Sequence, residues 1–195
     1  AAPGAKLRSI PVSLLFTAPE LSLRASYCMF DRRTGRPLCV GNGTTCRRST
    51  SGGVRTLPCP APEGCELAAG GGCKPLGRLN VRIGEEDELG CFVFRTTGFN
   101  SIRTLSTRLN YFHAVSGGLL ATLPLELRLR GKTTAQSFGT PIYYLDLTVR
   151  SGMTLAQAVV AAKTASEERI AAGVVQTELD EAARQGFAKG AFEES

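Results

Sequence analysis

The stretch GRLNVRIGEEDELGCFVFRTTGFNSIRTLSTRLNYFHAVSGG, Gly77–Gly118, changes its hydrophobic period halfway along. Its first half holds two short runs rich in β-branched and aromatic residues, GRLNVRI and CFVFRTT, on either side of an acidic turn, GEEDELG. That pattern predicts two strands joined as a hairpin. Its second half places Ile102, Leu105, Leu109 and Phe112 at helical spacing and stops at Gly117-Gly118, where glycine can take the left-handed conformation that ends helices. The next segment, LLATLPLELRLRG (Leu119–Gly131), alternates. Leu119, Leu123, Leu125, Leu127 and Leu129 share one parity, while Glu126, Arg128 and Arg130 take the other, as in a half-buried strand. PIYYLDLTVR, ending at Arg150, repeats that pattern. The order strand, strand, helix, strand, strand predicts an α+β fold: a mostly antiparallel sheet covered by one helix.

Working outward, IPVSLLFTAPELSL (Ile10–Leu23) reads as a strand followed by a turn at Ala18-Pro19-Glu20. ASYCMFD is a second strand, and RRTGRP its turn, with Gly35 at the tight bend. Beyond residue 150, Thr154 and Gln157 form a capping box that opens an alanine-rich helix, and a second short helix is expected from Thr177. The chain therefore divides into an α+β core domain, 1–150, and a helical tail, 151–195, whose small apolar residues suit a lever or a docking element.

The chain has 195 residues with a net charge of +6, and 43% of them are hydrophobic, as expected of a globular protein able to bury its own core. Residues 1–150 carry 19 Lys/Arg against 10 Asp/Glu, and residues 151–195 carry 4 against 7. A basic body with an acidic tail points to an anionic partner. No apolar run is long enough to span a bilayer and no leader-like segment is evident, so a cytoplasmic protein is expected.

Residues 39–74 are poor in large apolar side chains and hold five of the seven cysteines, at 39, 46, 59, 65 and 73. A long loop with so little apolar surface needs a staple. Metal ligation, disulfides and reactive thiols all remain open, but an odd cysteine count and a reducing compartment favour structural Zn²⁺. Five residues separate Cys59 from Cys65 and seven separate Cys65 from Cys73, spacings longer than a ribbon knuckle. Gly64 and Gly70-Gly71-Gly72 supply the turns needed to wrap an ion. The fourth ligand is Cys39, with Cys46 as the alternate, because Cys28 and Cys91 fall within expected strands as small buried side chains.

Little marks an active site. The single histidine, His113, borders the apolar stripe of the helix, and no nucleophile elbow accompanies it. The acidic run at 85–88 reads as a solvated hairpin tip rather than as a Mg²⁺ site. CVGNGTTC contains Gly-x-Gly, but no helix follows to bind phosphate. Arginines are the more telling candidates for contact with nucleic acid or a protein partner: Arg47 and Arg48 beside a cysteine, Arg78 and Arg82 on one strand, Arg103 and Arg108 on the helix, and Arg128 and Arg130 on another strand.

Together Cys39 with Gly41-x-Gly43, Arg47 or Arg48, the PCP…C…GGCKP run, GRLNV, FRTTGFNSIRTL and GLLATLPLELRLRGK resemble the phage recombination directionality factor-like proteins. The likeness spans about residues 8–150 and is most specific over 57–130. Relatives on mobile elements carry the label "hydrolase or metal-binding protein". The resemblance implies an accessory factor, without catalysis of its own, that binds a large serine integrase on its DNA, largely through the integrase's coiled-coil arm, and redirects it from integration to excision. It also implies that Cys39, Cys59, Cys65 and Cys73 are the metal ligands. The expected function is thus a non-enzymatic, zinc-stabilised factor of DNA recombination. The alternative is a nucleic-acid-binding protein of a phage or integrative element that binds or anneals single strands, and a metal-dependent hydrolase trails both.

Overall fold

The computed structural model describes residues 8–84, 91–133 and 138–190. Nine strands and five α-helices follow in chain order among them. β1 is Ser9–Val12, α1 Pro19–Ser22, β2 Leu23–Phe30, β3 Pro37–Gly41, β4 Thr45–Thr50 and β5 Gly53–Pro58. α2 is Ala61–Gly64, β6 Lys74–Val81, β7 Phe92–Thr96 and α3 Phe99–Ser116. β8 is Leu125–Lys132, β9 Ile142–Val149, α4 Leu155–Ala171 and α5 Gln176–Gly190. The fold is α+β and its described strand pairs are antiparallel.

The strands form two sheets where the sequence led us to expect one: β1-β8-β9, and β5-β4-β3-β2-β6-β7. The cause lies at the start of the chain, where β1 pairs with β8, more than a hundred positions away, instead of with its sequence neighbours. A single antiparallel bridge, Ser13 with Arg82, carries the chain from the smaller sheet to the larger one. The expected hairpin is β6–β7, with Leu79 opposite Phe94, although the acidic run at 85–88 lies outside the described residues. The expected turn at Ala18-Pro19-Glu20 is instead the start of α1, with Pro19 in the first helical turn, where its missing N–H costs nothing.

α3 forms where the spacing predicted it and ends on Gly117 at φ 66°, whose N–H reaches back to the carbonyls of His113 and Ala114. It buries Leu105, Leu109 and Phe112 in one core with Val12, Leu23, Leu79, Val81, Leu125, Leu127 and Leu147. Each such leucine, fully buried, contributes about 1.5–3 kcal/mol. α3 also lies along β9, the edge strand of the small sheet. Ser101 Oγ there accepts the amide of Leu145 at 3.1 Å, satisfying an edge donor that would otherwise invite another strand.

The strand read as half-buried at 119–131 is covered on both faces at its start. Glu126, expected to face solvent, is 2% exposed. It is held by the Ser151 amide at 3.0 Å, the Ser151 hydroxyl at 3.0 Å and the Arg128 guanidinium. Asp146, also buried, accepts Arg108 at 3.1 Å and Arg130 at 3.0 Å.

α4 begins with the predicted capping box, Thr154 Oγ1 accepting from Gln157 N and Gln157 Oε1 accepting from Thr154 N. Ala158 and Ala162 on it are fully buried in the main core. On α5, Asp180 is 4% exposed and accepts the amide and hydroxyl of Thr17 and the Gln176 amide. Further along, the Phe187 ring meets Phe16 edge-on at 5.9 Å and lies 3.8 Å beneath the Arg24 guanidinium. No helix among the described residues is long and apolar enough to cross a membrane.

A candidate metal centre and the arginines around it

The cysteine-rich segment is more regular than its composition suggests, for β3, β4 and β5 run through it as a meander. Register then decides which side chains share a face. Cys39 stands opposite Met29 on one side and Arg48 on the other, and Gly41 opposite Cys46. Met29, Cys39, Gly41, Cys46 and Arg48 therefore point to one face of the large sheet. Met29, Cys39 and Cys46 form a second small core, apart from the main one, with Leu38, Leu57, Cys59 and Cys73 packed against it.

The segment after β5 folds back over that face. Cys59 follows the strand, its amide bonding Thr44 O at 2.8 Å, and Cys65 follows α2. Cys73 immediately precedes β6. Four thiols, Cys39, Cys59, Cys65 and Cys73, line one cavity of about 10 Å³ whose remaining walls include Met29, Leu67, Ala68 and Arg48. Cys46 is not among those lining residues. It is buried beside Cys39 with its Sγ 3.7 Å from Pro58 O.

The chemistry of this donor set suits zinc, which takes four thiolates in structural sites. All seven cysteines are free. The cavity has about the room of one water-sized sphere. Among the described residues no three His, Cys, Asp or Glu side chains stand close enough to hold a metal ion as placed. An ion here would require the four sulfurs to draw inward, and the Gly70-Gly71-Gly72 stretch, with Gly71 at φ 69°, gives the covering segment freedom to do so.

Burial and crowding hold the Cys73 and Cys46 thiols in their protonated form. Burial first, and then the neighbouring thiols at 39, 59 and 65, push the Cys73 thiol up to about 11. Burial likewise raises Cys46, with Cys39 adding to the shift. A crowd of thiols resists ionising together unless a cation is present. Arg48 supplies one fixed positive charge, its Nη2 lying 3.8 Å from Cys65 Sγ, and its interaction with Cys39 raises its own proton affinity further.

The remaining cysteines separate. Cys28 is buried within β2, as expected of a small apolar side chain, and burial raises its thiol. Cys91, expected to be buried, is exposed, because β7 begins one residue later at Phe92 and leaves it outside the ladder.

The arginines singled out from sequence do not form one surface. Arg108, Arg128 and Arg130 are tied to the buried carboxylates of β8 and β9. Arg103 is exposed on α3. Arg82 belongs to the bridge between the sheets. Arg78 sits between Arg24 and Arg95 across β2, β6 and β7. Arg24 and Arg95 were missed because they come into line with Arg78 only through strand register. Arg47 and Arg48, adjacent on β4, point to opposite faces. His113 lies in the last turn of α3, where its carbonyl caps the helix through Gly118 N at 2.8 Å.

The described residues thus form a two-sheet α+β body with a cysteine-lined lobe on one face of its larger sheet. Residues 2–150 match the Gp3-like family, described as recombination directionality factor-like, and the chain belongs to that family. No curated protein and no solved structure matches it.

Proposed function

We propose that the protein is a non-enzymatic accessory factor of site-specific DNA recombination that acts on a large serine integrase and changes the direction in which it recombines. Membership of the recombination directionality factor-like family over residues 2–150 carries this reading. In physical terms the factor binds one arrangement of the recombinase more tightly than another and so shifts its population. Reversing a strong preference in this way takes about a 10⁴-fold difference in affinity. The factor supplies surfaces and contributes no reacting group.

Within this reading Cys39, Cys59, Cys65 and Cys73 hold Zn²⁺. The ion's contribution is structural: it closes the segment 59–73 over the meander and neutralises the thiolates, with Arg48 as an additional cation. The four thiols lining one cavity support this assignment.

The test is a reconstituted recombination assay with a large serine integrase encoded near the gene and its attachment sites. Added protein is expected to promote excision and suppress integration. Unchanged product ratios at saturating protein, with a folded sample, would overturn the proposal.

A further inference from the structure

Residues 32–62 contain six arginines and not one Asp or Glu. The topology gathers them. Arg32, Arg33 and Arg36 lie exposed in the turn between β2 and β3. Arg47, Arg48 and Arg55 lie on the β4–β5 hairpin, where Arg48 stands opposite Arg55 and Arg47 opposite Thr56. β4 runs antiparallel to β3 with Arg48 opposite Cys39, so the β4–β5 turn arrives at the same end of the sheet as the β2–β3 turn.

The hairpin is also open to solvent. Every β5 residue except Leu57 is exposed, and β5 is an edge strand of the sheet. Its loop is the two-residue Ser51-Gly52, closed by Thr50 Oγ1 donating to Gly53 O at 2.7 Å. Exposed Thr45, Ser49, Ser51 and Thr56 add hydroxyl donors between the guanidiniums. Asp31, the acid at the border, is engaged by its own turn, accepting the amides of Arg33 and Thr34 at 2.8 and 2.7 Å.

We infer that this arginine-bearing end of the large sheet, with the β4–β5 ribbon at its edge, is a binding surface for the phosphate backbone of duplex DNA. The exposed edge formed by β5 extends about 20 Å, and because β4 is itself paired to β3 through Arg47 and Arg48, this edge lies along the duplex rather than inside a groove. The exposed Arg47 and Arg55 on the hairpin, with Arg32, Arg33 and Arg36 in the neighbouring turn, can then reach successive phosphates. Hydroxyl and guanidinium bonds to phosphate fix position and carry no sequence information, so the surface orients the factor on DNA without choosing the site. The inference deepens the recombination reading and gives that factor a direct hold on the duplex.

Fluorescence polarisation of the full chain against a labelled duplex of about three helical turns tests it. Binding is expected to weaken steeply between about 50 and 200 mM salt. The double variant Arg47→Ala/Arg55→Ala, and separately Arg32→Ala/Arg33→Ala, should each weaken binding about tenfold or more. Each should also flatten the salt slope by about 0.9 for every phosphate the variant no longer neutralises. Lys163→Ala/Arg169→Ala on α4 removes the same charge elsewhere and should change little. Three results overturn the inference: no duplex binding at low salt, equal weakening in the control variant, or tighter binding to the single strand than to the duplex. The recombination assay keeps the two proposals apart. Unaltered protein that redirects the integrase but shows no duplex binding at low salt refutes this surface alone, whereas duplex binding without any effect on recombination refutes the functional reading.

Discussion

A Cβ at Gly41 would lie 2.7 Å from Cys59 Sγ and 2.8 Å from Cys46 Cβ. Glycine at this position is what lets the covering segment bring Cys59 down onto β3. Gly41→Ala forces one of them to move, and overpacking of this kind costs about 1–3 kcal/mol. Thermal denaturation should show the loss, and elemental analysis should show less bound metal. An unchanged midpoint with full metal content would show that the close approach has no role in holding the thiols.

Purified protein should carry one zinc per chain. Cys59→Ser, Cys65→Ser and Cys73→Ser should each lower that occupancy sharply, while Cys46→Ser and the exposed Cys91→Ser should retain it. A chelator should release hydrogen-exchange protection in residues 39–74 before it affects β8 and β9, since metal binding and local folding share one free energy here. Protein without stoichiometric metal, equally protected with and without chelator, would remove zinc from the account.

Glu126 gives a pH dependence with a definite sign. Burial raises its proton affinity, but the Ser151 and Arg128 hydrogen bonds outweigh that, and its carboxyl ends up below the usual range. Its stabilisation is therefore fully present above the unfolded carboxyl value and is lost as pH falls through the folded one. Glu126→Gln should cost about 1.5–3 kcal/mol at neutral pH, the range for hydrogen bonds to a charged group, and flatten the acid limb of the stability curve. Denaturant melts at several pH values check this. Parallel acid limbs for the two proteins would assign the acid sensitivity to other groups.

Asp180 ties α5 to the segment before α1 through Thr17. Asp180→Ala leaves the Thr17 amide and the Gln176 side chain without that acceptor, at about 1–3 kcal/mol. Hydrogen exchange should quicken in α5 while α3 stays protected. Equal protection of α5 in both proteins would show that Phe187 against Phe16 and Arg24 suffices to dock it.

Local signals survived the passage from sequence to structure. The spacing of Leu105, Leu109 and Phe112 defined α3, Thr154 and Gln157 opened α4, and four cysteines singled out from the chain surround one cavity. Non-local pairing was the blind spot. β4 and β5 escaped notice because TCRRST and GVRTLP offer only Cys46, Val54 and Leu57 as apolar side chains, too few to show a period. Glu126 looked solvated because its main partner, Ser151, lies 25 positions away. The second sheet went unseen for the same reason, since β1 finds β8 only in three dimensions. The gathering of arginines at one end of the large sheet was half legible, in the acid-free run from 32 to 62, but its shape required the register of β3 against β4.

The family match stops at residue 150, and the structure does not. Ala158 and Ala162 fill part of the main core, Thr122 Oγ1 reaches Ala162 O at 2.9 Å, and Thr17 holds Asp180 across 163 positions of chain. Kinship and mechanical integrity thus have different lengths in this molecule. A fragment cut at the boundary of resemblance would keep the cysteines and the arginine-bearing hairpin yet strip α4 from the turn at Leu120–Thr122. Such a fragment would report on a partly unroofed protein, and its failure in an assay would say nothing about the ribbon.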